Sequence, residues 1–222
     1  MLNTLLKSPQ KILQISKRLI LLISVLRIKS YRKLLFHKLD KSLPVIDLGA
    51  NKGQTAIIFW VKGIETYCLE PHPNIFKKLY KTFKDVKKIH TLNYAVISEF
   101  EEEKKFKELY LHESSFLEKK DFSQASSLMS NKSNVNKNNT VKVKTIKYAN
   151  ILKKSSNFGL LKCDIEGYEY ILYRDIIKYH NSLDYIMIET HAKKNPQWID
   201  AHKTLIKEFK NLPLSKYNLN WH

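Results

Sequence analysis

The chain has 222 residues, 43% hydrophobic and 11% aromatic, which is enough apolar content for one sizeable core and too much for a disordered chain. Its formal charge of +18 is unevenly placed: residues 1–44 hold ten Lys/Arg against Asp40, and residues 119–154 hold nine Lys against Asp121, so the remainder is almost neutral. Basic segments suit RNA, an anionic membrane or an acidic substrate, but only four of the 39 basic residues are Arg. The bidentate phosphate grip of a nucleic-acid binder is therefore scarce, which argues against nucleic acid as partner.

Residues 1–43 form a basic preface in which Leu5, Ile12, Ile15, Leu19, Leu22 and Ile23 recur at helical spacing with lysines between. The spacing predicts one or two amphipathic helices, packed on the following domain or resting on an anionic membrane. The apolar run Leu19–Leu26 is too short to span a bilayer, and no convincing cleavage site follows, so neither a transmembrane helix nor a signal peptide is expected.

Residues 44–222 are read as one α/β domain organised around 44–74. Val45–Leu48 is an apolar strand containing Asp47, Gly49 and Gly53 make a turn, and the spacing of Ala56, Ile57, Phe59 and Trp60 predicts a helix. Thr66–Leu69 is a second strand ending at Glu70. This βαβ unit offers a ligand close backbone approach, a helix N-terminus and an acid for ribose hydroxyls. It departs from G-x-G-x-x-G, because Asp47 stands where the first glycine would be. A carboxylate there repels a pyrophosphate and suits a cationic head, which points to S-adenosylmethionine (SAM), with Asp47 toward the methionine end and Glu70 on the ribose. Gly49 and Glu70 are 21 residues apart, close to the roughly 20 expected between such a turn and its ribose acid.

Further along, Asn74–Phe83 reads as a helix and Ile89–Leu92 as a third strand, with Ala95–Ile97 continuing past it. Residues 99–105 read as a solvated charged turn and Phe106–Leu111 as a strand. Residues 118–140 read as a polar loop and Val141–Ile146 as a half-exposed strand, followed by a short helix at Ala149–Lys154. Phe158–Cys163 is a buried strand, Tyr168–Tyr179 a helix, Asp184–Ile188 another buried strand, and Trp198–Phe209 a last helix. The tail 212–222 has room for one more strand. Cys68 and Cys163 each sit inside an apolar strand run; if those strands flank the first one, two sheet spacings of roughly 9–10 Å are too far for a disulfide. Two free thiols fit a reducing compartment, the cytoplasm, with 1–43 offering a peripheral contact at the inner membrane face.

Asp164, Glu166, Glu189 and His191 follow two of the buried strands, and such positions gather beyond the carboxyl ends of a doubly wound sheet. They are the candidate catalytic residues, with Glu169 one turn into a helix as a weaker candidate. A carboxylate or His191 would remove a hydroxyl proton during methyl transfer. Alternatively Asp164, Glu166 and Glu189 would hold a divalent cation that polarises the acceptor oxygen. The residue types do not decide between these.

The segments IDLGANKGQ (46–54), LEPHPNIFKKL (69–79), NYAV (93–96), ASSL (125–128), VKTI (143–146), LLKCDIEGYE (160–169) and IMIET (186–190) resemble, in order and spacing, the FkbM-type SAM-dependent methyltransferases. The resemblance implies a Rossmann-like class I methyltransferase fold, a doubly wound, mostly parallel sheet with helices on both faces. It also implies SAM as methyl donor and O-methylation of a sugar hydroxyl on a glycan or another small-molecule acceptor. By matching position, Asp47, Gly49, Ala50, Asn51, Gly53, Gln54, Thr55, Glu70 and Pro71 would be cofactor residues. Asn93 would lie near the adenine, and Ser126 and Ser127 would form part of the cofactor or substrate wall. An RNA methyltransferase using its basic segments, or a SAM-binding module without catalysis, are the rival readings.

Overall fold

The computed structural model describes residues 9–112 and 126–219. Short strands covered on both faces set the architecture. β1 (Val45–Leu48), β2 (Thr66–Leu69), β3 (Ile89–Leu92), β7 (Leu160–Cys163), β8 (Ile186–Ile188) and β9 (Tyr217–Asn218) form one sheet in the order β3-β2-β1-β7-β8-β9, every pair parallel. All four residues of β1 and of β7 are buried, as expected where helices cover both faces of a parallel sheet. The tail closes the edge with the single strand β9.

Strand alternation divides the core in two. Val45, Cys68, Leu160 and Met187 face a layer built from α1 (Pro9–Leu26), α2 (Lys29–Phe36), α3 (Gln54–Lys62) and α4 (Pro73–Phe83). Ile46, Leu48, Leu161, Cys163, Ile186 and Ile188 face α5 (Tyr148–Leu152), α6 (Glu169–Lys178) and α7 (Ile199–Phe209). Both cysteines are free and buried.

The two helices at the start dock on α3 and α4. Val25, Tyr31 and Leu34 join the first core layer. Arg18, 4% exposed, donates from Nε to the Thr82 carbonyl at 2.8 Å, pairs with Asp85 and lies over the Trp60 ring. Lys62 Nζ bonds the Leu35 and His37 carbonyls at 2.8 and 2.7 Å, closing the end of α2.

Three expectations need correction. Ala95–Ile97 does not prolong β3; it is β4, which pairs with β6 (Val135–Lys147) in a second sheet of order β4-β6-β5, where β5 is Phe106–His112. The 118–140 loop is too long, because β6 begins at Val135. Its Asn/Lys-rich first half shows no apolar alternation, and it is strand because β5 satisfies its backbone across a bulge at Tyr110/Leu111. Residues 118–125 of that loop lie outside the described residues. The 99–105 run is more than a solvated turn: Glu99 Oε1 accepts from the Ala149 N–H at 2.9 Å, capping α5, and Glu101 Oε2 accepts from Tyr168 at 2.7 Å.

Candidate functional site

A cleft of about 370 Å³ opens at the carboxyl ends of β1, β2, β7 and β8, the place where a doubly wound sheet leaves strand ends uncovered. Its floor is the turn after β1. Gly49 (φ 75°), Asn51 (φ 49°) and Gly53 (φ 96°) all take left-handed backbone. The Gly49 and Ala50 N–H groups both donate to the Leu69 carbonyl at 3.0 Å. Gly49 packs so closely on β7's end that a Cβ there would sit 1.8 Å from the Asp164 carbonyl oxygen. Asn51 is the non-glycine residue best suited to positive φ, and its side chain accepts from Lys52 N–H at 2.7 Å.

Glu70 marks one end of the cleft. Its carboxylate accepts from the Asn51 N–H at 2.9 Å and the His72 N–H at 2.8 Å, which leaves lone pairs for further donors. Burial pushes its pKa up to about 7, against the pull of those two N–H groups. Asn93 does not line the cleft; its amide donates to the Glu70 and Pro71 carbonyls at 2.8 and 3.0 Å and so holds the wall in place. Ala50, Asn51, Gln54, Thr55, Pro71 and Ser126 do line it. Gly53 lies behind, against Phe83.

Asp47 is fully buried beneath the turn rather than in the cleft wall. It pairs with Lys162, its neighbour across β1 and β7, at 3.3 Å. Lys162 Nζ also lies 3.3 Å from Asp164 and donates to the Gly49 carbonyl at 3.0 Å. Burial works against the ammonium, but Asp47 and then Asp164 outweigh it and hold the Lys162 pKa above its ordinary value. One buried ammonium therefore ties the first strand's acid, the glycine turn and the active-end acid together.

At the other end Asp164, Glu166 and Glu189 line the cleft. Glu166 takes φ 57° and Gly167 φ 107°, a reversal that the Ser127 hydroxyl secures by donating to the Glu166 carbonyl at 2.6 Å. Ser127 thus acts behind the wall and does not line it. A Cβ on Gly167 would meet the Trp198 indole at 2.2 Å.

His191 stands behind the carboxylates. Its Nε2 lies 3.4 Å from Glu166 and 3.8 Å from both Asp164 and Glu189, while Nδ1 contacts Glu169 at 2.9 Å. Burial disfavours its charge, but the bond to Glu169 and the surrounding carboxylates outweigh that and raise its pKa to about 9. At neutral pH it is an imidazolium, a counter-charge for the acids. Burial first, then Asp164, pushes Glu189 up to about 7. That leaves a cleft-lining carboxylate poised to accept a proton near neutrality.

Several contributors carried little or no signal in the sequence. Lys132, 5% exposed, comes from the polar loop and bonds Glu166 Oε2 at 2.5 Å. Glu169 is fully buried and also accepts from the Gly167 N–H at 2.7 Å. Ile28 and Tyr31 bring the basic preface into the cleft wall. Asp164, Glu166 and His191 present ligand atoms within 4.8 Å of one another, a set whose chemistry would accept a hard cation. However, the Lys132 ammonium bonded to Glu166 Oε2 already supplies positive charge there and competes with a cation.

The family model described as the Methyltransferase FkbM domain matches residues 47–211. No curated protein and no solved structure matched the chain. The match covers well over half of the chain and runs from the glycine turn to beyond α7, so the chain belongs to the FkbM methyltransferase family.

Proposed function

We propose that the protein transfers a methyl group from SAM to a sugar hydroxyl on a glycan or glycan precursor. The observation that carries this reading is the arrangement of the cleft, with the Gly49 turn and Glu70 at one end and three carboxylates at the other. The fit to SAM rests on the chain's own groups. The turn brings backbone close, Glu70 keeps lone pairs for ribose hydroxyls, and about 370 Å³ falls in the range of roughly 300–1,000 Å³ usual for small-molecule sites. When bound, SAM would supply an electrophilic methyl on a positively charged sulfur, and Asp164 and Glu166 would give that charge an acidic neighbourhood.

Glu189 is the proposed general base. A carboxyl with a pKa of about 7 is half ionised near neutrality and regains basicity as a hydroxyl approaches. Asp164, between Lys162 and His191, would orient the acceptor. His191, carrying its proton, cannot take another.

Radiolabelled methyl transfer to a panel of sugars, sugar nucleotides and glycolipids, with RNA as a parallel acceptor, tests the proposal. At saturating SAM, Glu189→Gln should lower turnover by about 100-fold or more, the usual contribution of a positioned base, and abolish the rise in turnover through about pH 7. Binding of S-adenosylhomocysteine should stay intact. Unchanged turnover in Glu189→Gln together with loss in Asp164→Asn would move the base role to Asp164. Methylation of RNA alone would defeat the sugar reading.

A further inference from the structure

The outer face of α1 is apolar where a solvent-facing helix should be polar. Ile12, Leu13, Leu19, Ile20 and Ile23 are 42–67% exposed. At 100° per residue they fall within one arc, centred opposite Arg18 and Val25, the residues that seat the helix on the domain. Ser16 lies within the arc and Ser24 just beyond its edge, and no charged residue of the helix falls inside it. Ile28 and Phe36, 48% and 80% exposed, extend the apolar surface beyond the helix.

Around that surface the charge has one sign. Lys11, Lys17, Arg27, Lys29, Arg32, Lys33 and Lys38 are all exposed, and the first acid in the chain is Asp40. An isolated apolar patch of this kind marks a docking site, and the basic border selects the occupant. A second copy would bring these cations face to face with no acid between them. A lipid surface with anionic headgroups meets both features, burying the isoleucines at the acyl boundary while the bases contact headgroups.

We propose that α1 and the start of α2 dock the protein on an anionic membrane surface, with the helix lying in the interface plane. No described helix is long and apolar enough to cross a membrane, so the contact is peripheral. Ile28 belongs to both the exposed surface and the cleft wall, so docking sets the rim of the cleft against the lipid.

Co-sedimentation of the full chain with vesicles tests this without any methyl transfer, so its failure is separate from failure of the enzymatic reading. Wild type should pellet with phosphatidylcholine–phosphatidylglycerol vesicles, remain in solution with phosphatidylcholine alone, and be released as salt rises. Ile20→Glu/Ile23→Glu should weaken the binding by about tenfold or more, since both the buried apolar area and the charge match are lost. Its melting temperature and S-adenosylhomocysteine affinity should match wild type, because neither side chain packs on the domain. Absence of pelleting with the anionic vesicles, or equal pelleting with both kinds, would overturn the proposal. So would a wild-type dimer in analytical ultracentrifugation that Ile20→Glu/Ile23→Glu converts to monomer.

Discussion

Gly49→Ala should cost S-adenosylhomocysteine affinity about 100-fold or more, the scale on which a 1 Å misplacement disables a site. The added methyl would lie 1.8 Å from the Asp164 carbonyl oxygen. Backbone cannot swing aside as a side chain can, so the turn or the end of β7 must move. Positive φ at an alanine adds about 1–2 kcal/mol of strain. Gly63 separates the two effects: it caps α3 at φ 70° with nothing within 4 Å of its would-be Cβ. Gly63→Ala should therefore lose only the strain energy in a urea titration and keep wild-type binding. If Gly49→Ala bound like Gly63→Ala, close packing of turn on strand would not be what shapes the floor.

Lys162→Met should lower unfolding stability by about 3–5 kcal/mol, the usual cost of stripping one partner from a buried ion pair. Asp47 is wholly buried and forms its ion pair with Lys162. Burial already pushes the Asp47 pKa up, with Lys162 pulling it down; without the ammonium the carboxyl takes a proton on folding. A folded-state pKa above the unfolded value of roughly 3.9 makes the variant's deficit grow as pH rises above that value. Adding Asp47→Asn removes the buried charge and should recover much of the loss, because a pair deleted whole costs far less than a pair broken. Urea midpoints for the single and double variants decide it. A double variant no more stable than the single would mean that Lys162 acts through Asp164 and the Gly49 carbonyl instead.

The βαβ unit was legible because its signals are local: an apolar run ending at an acid, glycines at the turn, and a helical stripe after it. The same holds for the acids after β7 and β8, whose place at strand ends follows from parallel topology. What stayed hidden depends on cross-strand neighbours. Lys162 sits inside an apolar run and reads as an interruption until β1–β7 register sets it opposite Asp47. Glu169 reads only as a weak candidate one turn into a helix, and the turn at Glu166–Gly167 is what brings it to His191. Lys132 lies in a polar stretch with no periodicity, so its burial against Glu166 has no local signature. The Asn-rich start of β6 is strand by pairing alone.

The basic preface shows the limit of pattern from the other side. Helical spacing predicted its helices, but the sequence leaves open which apolar residues face inward. The structure turns Val25, Tyr31 and Leu34 to the core and Ile12, Leu13, Ile20 and Ile23 to solvent.

The most direct test of the account is calorimetric titration of the full chain with S-adenosylhomocysteine, beside Glu70→Ala and Glu70→Gln. Wild type should bind with micromolar affinity that tightens as pH rises through about 7, where Glu70 ionises, since ribose hydroxyls donate to the carboxylate. Loss of these charge-assisted bonds should weaken Glu70→Ala by about tenfold or more, with Glu70→Gln between the two and all three proteins folded. A folded wild type that does not bind, or a Glu70→Ala variant that binds as tightly, would contradict the assignment of this cleft to the methyl donor.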